Sequence, residues 1–201
     1  MSRIRPSFVL GYHGCDKDIG LKAVNGEIPL TASDGTYHWM GHGIYFWEND
    51  PLRAYEWAKQ KAARGACKNP YVIGAIIDLG HCLDLLIREN APIVREAYES
   101  LKEMKTKATL PMPVNMTAPK DNSKDLVLRH LDCAVIDHLH QIIQEKNGRP
   151  FDSVRAAFTE GDPIFEGGKI HAKNHVQIAV CNSECIHGYF VPLERCQYPF
   201  H

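Results

Sequence analysis

Gly41-His-Gly-Ile-Tyr-Phe-Trp47, followed closely by Asp50-Pro51, is the stretch on which the reading of the fold turns. Two glycines lead into a short β-branched and aromatic run, the composition of a strand. Asp50 can then cap a helix, Pro51 suits its first position and Gly65 can close its far end. Leu52, Tyr55 and Ala58 share one face of that helix. Glycines at the start of such a strand let a ligand approach the backbone.

The flanking segments supply the rest of an α+β pattern. Ser7–Gly14 has strand composition and ends at a glycine, while residues 15–40 read as mixed and turn-rich, with turns at Asn25-Gly26 and Asp34-Gly35. Tyr71–Leu79 is an apolar run that predicts a central strand. Residues 91–107 place Ile93, Ala97, Leu101 and Met104 at helical spacing. Thr109–Ser123, with three prolines, reads as a long loop or flap. A second helix is expected from about Lys124 to Lys146, with Leu128, Leu131, Val135, Leu139 and Ile142 as its buried stripe. Phe151–Phe158 is strand-like, Gly161–Lys173 is a glycine-bearing loop, and strand candidates His175–Cys181 and Ile186–Val191 follow. No repeat and no linker interrupts this order. The expectation is one α+β domain over residues 1–201, a split β-sheet core with flanking helices.

Composition excludes several classes. With 44% hydrophobic residues and a net charge of -1, the 201-residue chain is too apolar and too neutral for disorder. It also lacks the basic excess of a protein that coats nucleic acid. Its longest apolar runs are about half the ~20 residues a membrane span needs, and Phe8–Leu10 is too short for a signal-peptide core. A cytoplasmic protein with no membrane partner is expected. The seven cysteines are scattered and form no CxxC, which favours buried thiols over a disulfide framework. Cys181, Cys185, His187 and Cys196 make the best metal cluster, yet their spacing matches no common zinc pattern, so no metal is expected.

Chemistry-bearing residues gather at strand ends. His13 lies between Tyr12 and Gly14, Tyr45 follows Gly41 and Gly43, and Gln177 stands near the start of a later strand. Such strand ends suggest a cleft, in which aromatic faces on either side would stack on a flat heterocycle while a His donor and backbone groups orient it. Trp39 and Trp47 are further aromatics on which a base could stack.

Tyr12-His13-Gly14, then Gly41-His-Gly-Ile-Tyr-Phe46, then Ala54-x-x-Trp57-Ala58 together resemble the ADP-ribosyltransferase superfamily, in its diphtheria-toxin and poly(ADP-ribose)-polymerase branch. These motifs cover the first third of the chain, and a loop followed by a strand, Gly161–Lys173 and His175–Val180, agrees in layout. The resemblance implies NAD as co-substrate in a split-sheet cleft. It makes His13 the partner of the adenosine ribose, Gly14 the backbone holder of the nicotinamide amide and Tyr45 the ring that stacks on nicotinamide, behind Gly43. Trp57 or Tyr55 supplies the second aromatic. The catalytic position falls on Gln177, where the family carries Glu; a Gln can accept from a ribose hydroxyl but brings no charge. Glu160 and Glu166 are the nearby substitutes, and Arg155 can hold a pyrophosphate. The implied activity is single ADP-ribose transfer to a macromolecular acceptor, protein or nucleic acid, recognised by the 161–173 loop and the Pro-rich 109–123 segment. By the same analogy the chain is toxin-like, with a neutralising antitoxin as partner. Two alternatives stay open: a non-catalytic NAD or ADP-ribose-binding module, and an NAD-consuming RNA 2'-phosphotransferase.

Overall fold

The computed structural model describes residues 8–33, 35–118 and 125–193. In chain order the elements are β1 (Phe8–Asp16), α1 (Lys17–Val24), β2 (Ile44–Glu48), α2 (Pro51–Ala63), β3 (Pro70–Asp78), β4 (Cys82–Asp84), α3 (Ala91–Lys107), β5 (Asn115–Met116), β6 (Leu128–Arg129), α4 (His130–Glu145), β7 (Ser153–Phe158), β8 (His175–Val180) and β9 (Ile186–Phe190). Seven strands join in the order β4-β7-β8-β2-β1-β3-β9, and β5 pairs with β6 separately. Only the β4–β7 pair of the large sheet is parallel. The fold is therefore mixed α+β: a large, mostly antiparallel sheet with four helices among the described residues.

The pleat divides the side chains between two layers. One face packs Ile44, Phe46, Ile73, Ile77, Ile178 and Val180 beneath α1. On the other, α3 and α4 bury Leu83, Val154, Ala156 and Ala179, and α2 buries Trp47 and Val72. Phe46, Ile73, Ile77 and Ile178 are wholly enclosed, each contributing roughly 1.5–3 kcal/mol by burial. Register fixes the faces: Tyr12 sits opposite Trp47, and Trp47 opposite Gln177, so these three share the α2–α4 face with Tyr45.

Several expectations need correction. β1 does not end at Gly14 but runs through it to Asp16, whose side chain caps α1 at Asp18 N–H. The same carboxylate takes the N–H groups of Lys68 and Asn69. Helix α1 itself was hidden in a segment read as turns; it is eight residues long, and its Gly20 hides the apolar pattern. That glycine lets the helix lie on the sheet, since a Cβ there would stand 2.9 Å from Cys15 Sγ and 3.0 Å from Ile73. Helix α4 begins at His130 rather than near Lys124. Its free N–H groups at Leu131 and Asp132 are taken by Asn115 Oδ1, a cap supplied from β5 that local sequence cannot show. Part of the 109–123 loop, from residue 119 on, lies outside the described residues, as does Cys196. Helix α2 starts as expected, with Asp50 accepting from Arg53 N–H at 2.9 Å.

Candidate functional site

β1 and β2 pair at only two positions, Gly11 with Glu48 and Tyr12 with Trp47. Beyond Tyr12 they share no ladder pair. The Leu10 carbonyl accepts from Asn49 N–H on the β2 side, and Lys17 N–H gives to Asn69 on the β3 side. By the two-residue alternation of an antiparallel ladder, Gly14 turns its backbone groups toward β2, into that gap. Its carbonyl meets Lys61 Nζ at 3.4 Å.

Across the same gap the Nδ1–H of His13 donates to the Tyr45 carbonyl at 2.8 Å. A carbonyl only accepts, so this bond fixes the tautomer and leaves Nε2 as the acceptor of the ring. Burial lowers the His13 pKa to about 4, against the smaller upward pull of its bond to Tyr45, and Lys61 lowers it further. The ring is neutral at pH 7. By alternation His13 lies on the opposite face from Tyr45 and beside Phe46 (5.7 Å), so it meets the backbone of Tyr45 and not its ring.

That neutrality has a stability consequence. The unfolded His13, at 6.5, binds a proton that the folded ring refuses down to about 4. Stability contributed by His13 is therefore whole above pH 6.5 and drains away as pH falls toward 4. His140 and His175 are lowered by burial too and act in the same sense. We expect urea unfolding to show a loss of about 2 kcal/mol from His13 alone between pH 7.5 and 5, and His13→Gln to remove that portion of the slope.

The Tyr45 hydroxyl donates to the Gly41 carbonyl (2.8 Å) and accepts from Met40 N–H (3.0 Å). It pins the 40–43 turn, and burial raises its pKa. Its ring lies 5.2 Å from that of His38. Gly41 is needed for this turn: its φ is +79°, and a Cβ would reach 2.5 Å from Asp137 Oδ1. That carboxylate accepts from His42 N–H. Gly43 passes close under Val180, whose carbonyl oxygen a Cβ would meet at 3.0 Å. Both glycines thus serve packing.

Gln177 and Tyr45 stand on adjacent strands of one face, and the Gln177 Oε1 accepts from Trp39 Nε1 at 2.6 Å. Trp39 is half-buried and edge-on to Phe158 at 5.1 Å. Arg129 covers the Phe158 ring at 4.2 Å. Trp47 is 4% exposed and not a surface platform. Trp57 packs beside Trp47, at 6.1 Å, under Lys61 and Arg64. It does not face Tyr45; Tyr55 joins the same α2 cluster.

Two charged residues sit differently from expectation. Both edges of the Arg155 fork are taken, by Glu48 (2.6 and 2.9 Å) and by Asp84 (2.9 Å), and the Glu48 bonds lead in raising its pKa. It ties β7 to β2 and β4 and has no free fork for a pyrophosphate. Glu160, expected as a substitute carboxylate for the Gln177 position, is instead buried in an ion pair. It is 8% exposed, and Arg53 Nη2 contacts both its oxygens at 2.8 and 2.6 Å. Glu166 remains exposed on the loop.

Sequence reading missed Arg53, His38 and His175. Arg53 carried a signal, a cation three residues past a helix cap and so on the first turn; its partner 107 residues away did not. The 161–173 loop is closed by a bridge between Pro163 and His171 and presents Ile164, Phe165 and Ile170 to solvent. Two concavities lie elsewhere. One of about 470 Å³ is bordered by His42, Asp137, His140, Asp152 and Cys181. The other, about 440 Å³ and apolar, is bordered by Val114, Met116 and Ala134. Neither is lined by His13, Gly14, Tyr45 or Gln177. Among the described residues no group of three His, Cys, Asp or Glu is placed to hold a metal, and no helix is long and apolar enough to cross a membrane. Set against known protein families, curated proteins and solved structures, the chain has no significant match.

Proposed function

We propose that the chain is an NAD-dependent mono-ADP-ribosyltransferase of the split-sheet type that its motifs resemble. The observation that carries this reading is the parting of β1 and β2 beyond Tyr12, with the Gly14 backbone turned into the gap. The neutral His13 ring borders the gap, and Gln177 lies one strand beyond Tyr45. His13, Tyr45 and Gln177, spread over 165 residues of sequence, fall on the neighbouring strands β1, β2 and β8.

In this reading the nicotinamide amide exchanges hydrogen bonds with the backbone of Gly14, as edge strands exchange them with a peptide. The Tyr45 ring, held by its hydroxyl to the 40–43 turn, flanks the nicotinamide ring. His13 Nε2 accepts from a ribose hydroxyl. Gln177 accepts from the nicotinamide ribose once Trp39 swings off its carbonyl oxygen. No carboxylate stands at the Gln177 position, so charge on the breaking glycosidic bond is met weakly, and one transfer per acceptor is favoured over chain growth. The ordered loop carrying Ile164, Phe165 and Ile170 is the surface on which an acceptor docks. Restriction of the chain to the cytoplasm belongs to the same proposal, and a toxin-like role and a neutralising partner follow from the resemblance alone.

The test is nicotinamide release from NAD by the purified chain, with and without cell extract. Release that depends on extract and drops at least ~100-fold in His13→Ala and Tyr45→Ala is expected, since each removes a positioning contact. Tight NAD binding without release in any fraction would instead support the non-catalytic module.

A further inference from the structure

Four of the five buried polar atoms that lack a hydrogen-bond partner among the described residues belong to three side chains on or near β8: Trp47 Nε1, Arg53 Nε and Nη1 (the last 3.5 Å from Glu56 Oε2), and His175 Nε2. All three side chains are deeply buried, at 4%, 6% and 8% exposure. Orphaned buried groups of this kind are rare, and a cluster of them marks a place built for an occupant or a reaction. His175 is the one that can move a proton.

Its geometry is that of a held base. The Nδ1–H donates to the Lys173 carbonyl at 2.7 Å, which fixes the tautomer and leaves Nε2 with a bare lone pair. The ring is stacked on Phe158 (5.3 Å, 8° between planes) and lies 6.3 Å from Trp47, so it cannot turn away. It shares a face of β8 with Gln177, two residues and roughly 6.6 Å along the strand.

We propose that His175 is the general base that accepts the proton of the acceptor nucleophile, a role that rests on the transferase reading above. Gln177 can orient a ribose hydroxyl but cannot take a proton. In the step, a lone pair of the acceptor atom attacks C1' of the nicotinamide ribose, and the C1'–nitrogen bond breaks with its electron pair leaving on nicotinamide. The proton of the acceptor passes to His175 Nε2. The imidazolium so formed faces Glu160 and Asp50, which favour it, and Arg53, which opposes it; burial opposes it most. Trp47 Nε1–H and the Nε–H of Arg53 remain to receive the oxygen atoms of the incoming group. Phe158 and the neighbouring Trp39 form the wall that must shift for the acceptor to reach Nε2.

The full-length chain, radiolabelled NAD and cell extract as acceptor source provide the test, between pH 5 and 8. Because burial lowers the His175 pKa, wild-type labelling is expected to hold level from pH 8 through the ordinary imidazole range and to fall only in more acid solution, as His175 protonates. His175→Phe keeps the stack on Phe158 but has no base. It should label 10²–10³-fold more slowly, with no fall toward acid and with NAD affinity within about twofold of wild type. His175→Gln gives a second variant if the Phe form does not fold. A folded variant that labels within threefold of wild type, or that keeps the wild-type fall toward acid, overturns the proposal while leaving NAD turnover standing. Absence of nicotinamide release from the wild type overturns both this and the transferase reading.

Discussion

Gly14→Ala is expected to cost on the order of 3 kcal/mol or more, enough to unfold a domain of ordinary stability under mild urea. The added Cβ would stand 2.1 Å from the Ala54 carbonyl oxygen and 3.2 Å from Ala58 N–H. These are backbone atoms in the middle of α2, so no rotamer change relieves the clash. Either α2 lifts from β1, exposing Trp47 and Val72, or β1 bends away from β3, to which it pairs from Phe8 to Asp16. Gly188→Ala is the control, because nothing lies within 4 Å of its Cβ. Urea midpoints of the two variants should differ by nearly the whole effect. The glycine of the His13-Gly14 motif is thus fixed by helix packing as well as by any ligand.

Arg53→Met is the second large effect. Arg53 and Glu160 are both nearly enclosed and lie 2.6 Å apart at their closest atoms. Removing either partner strands a charge in the interior at about 3–5 kcal/mol, whereas removing both need cost little. Glu56 lies 3.5 Å from Arg53 but at the surface, and Lys173 is 3.9 Å from Glu160; neither replaces the lost contact. Thermal or urea unfolding of Arg53→Met, Glu160→Gln and the double Met variant checks this. The double variant should recover at least half of the single-variant loss. Equal and additive losses would mean that the pair is solvated and the interior reading of Glu160 is wrong.

How far the sequence was legible follows from where information is local. The strand at Ile44–Glu48 and the helix after it were readable because Asp50, Pro51 and the apolar spacing lie within one turn of each other. The β3 strand was readable from its apolar run alone. Helix α1 was not, because its cap Asp16 sits inside a strand and Gly20 serves a contact with Ile73 on another strand. The start of α4 was not, because Asn115 caps it from 16 residues away. At the site, the His13, Tyr45 and Gln177 motifs were legible as residues. Their relation was not: nothing local says that Trp39 reaches Gln177 across 138 residues, or that Arg53 meets Glu160 across 107. The surroundings of Arg155 and Trp57 were hidden for the same reason, since Glu48, Asp84 and Trp47 contact groups that no local pattern pairs with them.

The central claim is that the gap between β1 and β2 receives nicotinamide, and backbone amide chemical shifts during a nicotinamide titration address it most directly. The account predicts saturable shifts centred on Gly14 and Tyr45, with the Trp39 indole N–H moving off Gln177 only when NAD, which carries the ribose, replaces nicotinamide. Saturable shifts confined to the concavity around His42, Asp137 and Cys181, or no shifts at millimolar nicotinamide, would contradict it.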